Sequence, residues 1–148
     1  VHRDIKPQNI MYDFNQKTFK LIDFGFSCYI KDMIKNTKNY KCIGTRGTAI
    51  YFSLELLKNE TSISILKKAD IWALGLTFYY FIYGQLPPSI DKATSLEGLK
   101  RIVTTFKYKP LNDNYIEFNT LLEGMLNVNM TERFDIKKVI DELNKILL

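Results

Sequence analysis

Apolar positions recur at two different periods along this chain, and the change of period divides it. Near the start, Ile10-Met11-Tyr12 and Thr18-Phe19-Lys20-Leu21-Ile22 flank the turn-forming residues Asp13-Phe14-Asn15-Gln16. Two short strands joined by a tight turn are expected there. Residues 26–46 are polar and lysine-rich with no steady period, so they read as a long loop, and such loops are usually functional or disordered. The remainder is helical in pattern. Residues 71–83 (IWALGLTFYYFIY) carry no charge and are apolar on every side. They predict a buried central helix in which Trp72, Phe78, Tyr79, Tyr80 and Phe81 are core. The run falls short of the ~18 apolar residues that suggest a membrane span. Gly84 and Pro87-Pro88 end it. Leu96, Leu99, Val103 and Phe106 then recur at helical spacing, and Phe118, Leu121, Leu122 and Met125 do so behind Asp113-Asn114. Ile136, Val139, Ile140, Leu143 and Leu147 form one apolar stripe behind the cap Asp135. The fold class is therefore mainly α, with a short two-stranded β element.

Composition narrows the picture. The chain has 148 residues, 46% of them hydrophobic and 25% charged, which suits one globular domain with a sizeable core. The formal charge of +5 comes from scattered lysines rather than a block. With no nucleic-acid-binding motif beside it, this is a solvated basic surface and nucleic acid is not an expected partner. Cys28 and Cys42 are the only cysteines and their spacing forms no metal or redox pair. Two unpaired thiols point to an intracellular compartment, cytoplasmic or nuclear. The chain starts at Val1 with a polar, functional-looking segment and no signal peptide, so upstream sequence is expected.

The chemistry is concentrated in residues 2–9 (HRDIKPQN) and in Asp23-Phe24-Gly25. Phosphoryl transfer needs positioning, charge neutralisation on the phosphate and a base near the attacking hydroxyl. Asp4 can orient an alcohol and take its proton. Lys6 can bring a point charge to the transferring phosphate. Asn9 and Asp23 offer oxygen atoms suited to magnesium, and Gly25 lets the backbone turn sharply after Asp23. Any one of these residues alone reads as turn chemistry; their order and spacing together do not.

These residues resemble the eukaryotic-type protein kinase family over essentially the whole chain. His2-Arg3-Asp4 through Asn9 is similar to the catalytic loop, and Asp23-Phe24-Gly25 to the metal-binding motif. Residues 47–55 (GTAIYFSLE) resemble the end of the activation segment, with Leu54 where proline is usual. Residues 70–75 (DIWALG) resemble the start of the large lobe's central helix. Arg133 stands where a late arginine pairs with the glutamate matched by Glu55. The resemblance implies that Asp4 is the catalytic base, Lys6 a phosphate contact, and Asn9 and Asp23 ligands of ATP-bound magnesium. Lys6 together with Thr48 is similar to the serine/threonine branch, so a protein hydroxyl is the implied acceptor. Asp70 would hold the catalytic-loop backbone, and His2 would pack on Phe24 as core rather than act as an acid.

Regulation and substrate choice follow from the same resemblance. Arg3 resembles the residue that binds a phosphorylated activation loop; Thr45, Thr37, Ser27 and Tyr40 are candidate acceptors, with Thr45 nearest the usual region. Gln8 and Tyr80 stand where kinases of basic substrates often have glutamates. With Lys31, Lys35, Lys38 and Lys41 along the loop, acidic substrates are expected before arginine-rich ones. The whole reads as a partial protein kinase domain over residues 1–148: a large C-terminal lobe truncated at the catalytic loop. Its sequence contains no glycine-rich loop and no strand lysine, so the isolated chain is expected to have little activity without its small lobe or another chain. The alternatives are a non-enzymatic, kinase-derived binding module and a small-molecule phosphotransferase; residues 47–55, which shape a peptide site in the family, argue against the latter.

Overall fold

The computed structural model describes residues 1–31 and 44–148. Strands β1 (Ile10–Asp13) and β2 (Thr18–Leu21) form an antiparallel pair in which Ile10 faces Leu21 and Asp13 faces Thr18. Asp13 makes the turn: its Oδ1 accepts from the backbone N–H groups of Asn15 and Gln16 at 2.9 and 3.1 Å. Across the ladder Tyr12 opposes Phe19, with ring centroids 5.0 Å apart. The hairpin is otherwise open, leaving Phe14 and Phe19 largely exposed.

Among the residues described after position 44, the α-helices are α1 (Leu54–Leu57), α2 (Ile63–Tyr83), α3 (Pro88–Asp91), α4 (Leu96–Thr104), α5 (Asn119–Met125) and α6 (Ile136–Leu147). Helix α2 starts eight residues earlier than the uncharged run, because Ser62 caps it by accepting from the Ile65 N–H. It ends at Gly84, whose φ is 72°. Leu66, Ala69, Trp72, Ala73, Leu76 and Tyr79 line its buried side. Tyr80 and Phe81 depart from expectation: they are 40% and 52% exposed, not core. A pattern that is apolar all round cannot say which side has neighbours.

Trp72 and Leu76 meet Leu99 and Val103 of α4 and Leu122 of α5 in the main core. Ile71 joins Leu121, Met125 and Val139 in a second cluster beneath α6. Asp135 caps α6 as predicted, accepting from the Lys138 N–H at 2.8 Å. The stripe of α6 is a correction. Val139, Leu143 and Ile146 face the core, whereas Ile136, Ile140 and Leu147 are 57%, 50% and 77% exposed. The helix seats one row at i, i+4 and i+7, and the second row of apolar residues lies off that contact line. Cys28 is buried and disulfide-bonded, which overturns the expectation of two unpaired thiols. Among the described residues no helix is long and apolar enough to cross a membrane.

Candidate active site

The loop at residues 2–9 is pinned to the central helix by one carboxylate. Asp70 accepts the His2 N–H on Oδ2 at 2.7 Å and the Arg3 N–H on Oδ1 at 2.9 Å. Burial pushes the Asp70 carboxyl above its ordinary value, against the pull of those two amides. Between them the backbone turns through Arg3 at φ 72°, a left-handed conformation that costs a side-chain-bearing residue roughly 1–2 kcal/mol. The turn fits only because Gly47 lies against it: a Cβ there would sit 2.2 Å from the Arg3 carbonyl oxygen. The Arg3 guanidinium donates to the Gly44 carbonyl, and burial first, then the charge of Arg46, lower its pKa.

That geometry presents Asp4 to a set of donors. Thr48 gives both its N–H, at 2.9 Å, and its hydroxyl, at 2.7 Å, to Asp4 Oδ1. Lys6 Nζ stands 3.1 Å from Asp4 Oδ2 and 2.7 Å from the Thr48 hydroxyl oxygen. The Asn9 amide nitrogen reaches Asp4's carbonyl oxygen and Oδ2. Burial opposes ionisation of Asp4, but the bonds from Thr48 and Lys6 outweigh it and hold its pKa below the usual carboxylate value. An ionised carboxylate flanked by an ammonium can orient an alcohol and receive its proton.

Asn9 and Asp23 are drawn together by the backbone. The N–H of Ile22, just before Asp23, donates to the Asn9 carbonyl at 2.9 Å. Asn9's side-chain nitrogen is committed to Asp4, which leaves its oxygen as an acceptor. Asp23 Oδ1 accepts the Gly25 N–H at 3.2 Å. A carboxylate and an amide oxygen suit magnesium, which takes few protein ligands, so the donor chemistry fits. Among the described residues no group of three or more His, Cys, Asp or Glu could hold a metal. The sharp turn falls at Asp23 itself, φ 59°, and not at Gly25. A Cβ on Gly25 would instead crowd Asp23 Oδ1 at 3.2 Å. The aspartate, rather than the glycine, therefore carries the strain.

His2 is buried as core, with its ring edge-on to Phe24 at 5.1 Å. Its Nδ1 accepts from the Asp4 N–H, which puts the ring proton on Nε2, facing the Ile22 carbonyl at 2.9 Å. Phe24 is otherwise 62% exposed. Ser27 donates to the His2 carbonyl. Thr45's hydroxyl lies 3.4 Å from the Leu56 carbonyl and 3.3 Å from Asn59 Oδ1. Thr37, Tyr40, Lys35, Lys38 and Lys41 lie outside the described residues.

Farther back, Arg133 and Glu55 form the ion pair that the family resemblance implies. Arg133 Nη2 meets Glu55 Oε1 at 3.0 Å and Nη1 meets Oε2 at 3.2 Å. Its other donors serve the carbonyls of Asn127, Lys68 and Val128. The guanidinium also sits 5.3 Å above the Trp72 ring. Sequence reasoning missed Lys68, which closes this cluster by donating to the Arg133 carbonyl, and it missed Arg46 beside Arg3. Neither stands out among scattered basic residues.

The sequence model of the protein kinase domain matches residues 1–143. The chain belongs to the protein kinase family. Its kinase relatives include the serine/threonine-protein kinase Nek8 of Danio rerio, 31% identical over 140 residues, covering 94% of this chain and 18% of that one. A putative serine/threonine-protein kinase A of Trypanosoma brucei brucei is 32% identical over 141 residues, covering 94% of this chain and 30% of its own. A probable serine/threonine-protein kinase nek1 of Dictyostelium discoideum is 29% identical over 161 residues, covering 97% of this chain and 31% of its own. This kinase chain thus spans less than a third of the length of these curated relatives.

Proposed function

We propose that this chain is the part of a serine/threonine protein kinase domain running from the catalytic loop to the end of the large lobe, and that its parent protein transfers the ATP γ-phosphate to a protein serine or threonine. The observation that carries the reading is the meeting of Asp4, Lys6 and Thr48 in one hydrogen-bonded set. Asp4 is the catalytic base. Held ionised, it binds the acceptor hydroxyl, aims its oxygen and takes up its proton as that oxygen bonds to the γ-phosphorus and the bond from phosphorus to the bridging oxygen breaks, releasing ADP. Lys6, now shared between Asp4 and Thr48, supplies positive charge to the transferring group. Asn9 and Asp23 would hold the magnesium that accompanies ATP, whose chemistry is to neutralise phosphate charge. Asp70 and Gly47 keep the loop in register, and Arg3 is suited to receive a phosphate on the segment after residue 26, with Thr45 a candidate.

The 148 residues contain no glycine-rich loop to cover the nucleotide phosphates and no counterpart of the small-lobe lysine that meets the α- and β-phosphates, so the isolated chain has little activity of its own. The test uses the full-length parent protein, purified, with ATP, magnesium and a mixed protein substrate. Phosphoserine or phosphothreonine should form, and Asp4→Asn should lower the rate by about 10²–10⁴-fold. Phosphorylation unchanged in Asp4→Asn, or robust phosphorylation by the isolated chain, would overturn the respective claim.

A further inference from the structure

Residues 24–28, directly after the candidate metal ligand Asp23, lie along the start of the catalytic loop. Cys28 and Val1 exchange both backbone bonds: the Cys28 N–H donates to the Val1 carbonyl at 3.0 Å, and the Val1 nitrogen donates to the Cys28 carbonyl at 3.1 Å. The Ser27 hydroxyl donates to the His2 carbonyl at 3.3 Å, and the Ser27 N–H to the Phe24 carbonyl at 3.0 Å. The His2 ring in turn touches Phe24 and accepts the Asp4 N–H. Whatever keeps Cys28 in place therefore keeps the segment behind Asp23 against the loop that carries Asp4.

Burial does little of that holding. From Asp23 to Lys31, Cys28 is the one buried residue, while Phe24, Phe26 and Tyr29 are 62%, 44% and 79% exposed. So few apolar contacts leave a stretch free to open locally. Asp23 adds a reason to open, since its φ of 59° is a left-handed conformation that relaxes once the chain beyond it is released. What opposes release is covalent: Cys28 is disulfide-bonded. The chain's other cysteine, Cys42, lies outside the described residues. A disulfide in so thinly covered a stretch comes within reach of a thiol each time the stretch opens, unlike one sealed in a core.

We infer that the Cys28 disulfide is a redox latch on the candidate metal site: oxidised, it keeps Asp23 beside Asn9, and reduced, it lets Asp23 swing away. A dithiol reductant opens it by two successive thiolate attacks. The chain gains two electrons and two protons as a pair of thiols, and the reductant leaves as a disulfide. Glutathione disulfide reverses the exchange, re-forming the bond and departing as two glutathione thiols. The consequence for phosphorylation rests on the kinase reading above; the latch itself does not.

The test uses the full-length parent protein, oxidised with glutathione disulfide or reduced with dithiothreitol. Alkylation in denaturant, followed by peptide mass spectrometry, should find Cys28 blocked in the first form and labelled in the second. Amide exchange at Ser27 and Cys28 should quicken roughly tenfold on reduction. Magnesium-dependent phosphorylation should fall with it and return on reoxidation. Cys42→Ala, which leaves buried Cys28 in place, should show the fast exchange in both media. Cys28 labelled even after glutathione disulfide treatment would overturn the inference, as would exchange that is the same in both forms. Slow, oxidised-type exchange in Cys42→Ala would overturn it too. Exchange that responds while neither form phosphorylates any protein would defeat the kinase reading and leave the latch standing.

Discussion

Thr48 donates twice to a single oxygen of Asp4, from its backbone at 2.9 Å and from its hydroxyl at 2.7 Å. The segment after residue 44 is thereby fastened to the loop at residues 2–9 through the carboxylate proposed to be the base. Ordering that segment and tuning that carboxylate are one event.

Thr48→Val removes the hydroxyl bond and leaves the backbone one. The Asp4 pKa should rise, because a main support of its ionised form is gone. In the parent protein we expect at least a tenfold loss in kcat/KM, in line with a charge-assisted hydrogen bond of ~1.5–3 kcal/mol. Thr48→Ser should restore both. Carboxyl NMR titration of Asp4 and steady-state kinetics read the two effects; a normal kcat/KM in the valine variant would refute the coupling.

Asp4 and Asp70 pull acid stability in opposite senses. Asp4 titrates below its unfolded value of 3.8, so its stabilisation is present above that pH and is lost as pH falls through the folded value. Asp70 titrates above 3.8, so its contribution is complete below that pH and is lost as pH rises through its higher folded value. Urea unfolding across the acid range should therefore show Asp4→Asn removing the slope below 3.8 and Asp70→Asn removing the one above. The same sign of change in both variants would contradict the assignment.

Removing one partner of the Glu55–Arg133 pair leaves the other charge buried. Arg133→Ala should cost about 3–5 kcal/mol in denaturant unfolding. Replacing both partners with apolar residues, Glu55→Leu with Arg133→Met, should cost clearly less than the single change, although the three carbonyls served by Arg133 lose their donors. A double variant no more stable than Arg133→Ala would show that those carbonyls, and not the ion pair, dominate.

Gly47→Ala introduces a Cβ at φ 115°, 2.2 Å from the Arg3 carbonyl oxygen. The segment must move off the Arg3 turn. We expect a loss of ~1–3 kcal/mol and faster amide exchange at Thr48, whose N–H would no longer reach Asp4. Unchanged exchange there would mean that the segment is not held through this contact.

Local chemistry was readable in the sequence, and the sidedness of helices was not. Asp70, Glu55 and Arg133 could be named only through the family resemblance, whereas Asp4, Lys6, Asn9 and Asp23 could be named from their residue types, order and spacing. The hairpin and the Asp135 cap were legible for the same reason, since they depend on near neighbours in the chain. Tyr80, Phe81, Ile136 and Ile140 were misassigned because hydrophobicity says that a residue can be buried, while tertiary neighbours decide whether it is. The Asp23 turn was placed two residues late, at Gly25, since glycine is the usual residue for a left-handed turn and aspartate an uncommon one.

The Glu55–Arg133 pair joins residues 78 positions apart. During synthesis, Glu55 leaves the ribosome before its counter-ion exists, so α1 holds an unneutralised carboxylate until Arg133 arrives. Burying it at that stage would be unfavourable, so the final packing of α1 is postponed until the loop before α6 arrives. A nascent chain stalled ahead of Arg133 should stay open to proteases around α1, and completing the chain should close it. The pair would then tie the closing of α1 to the arrival of Arg133.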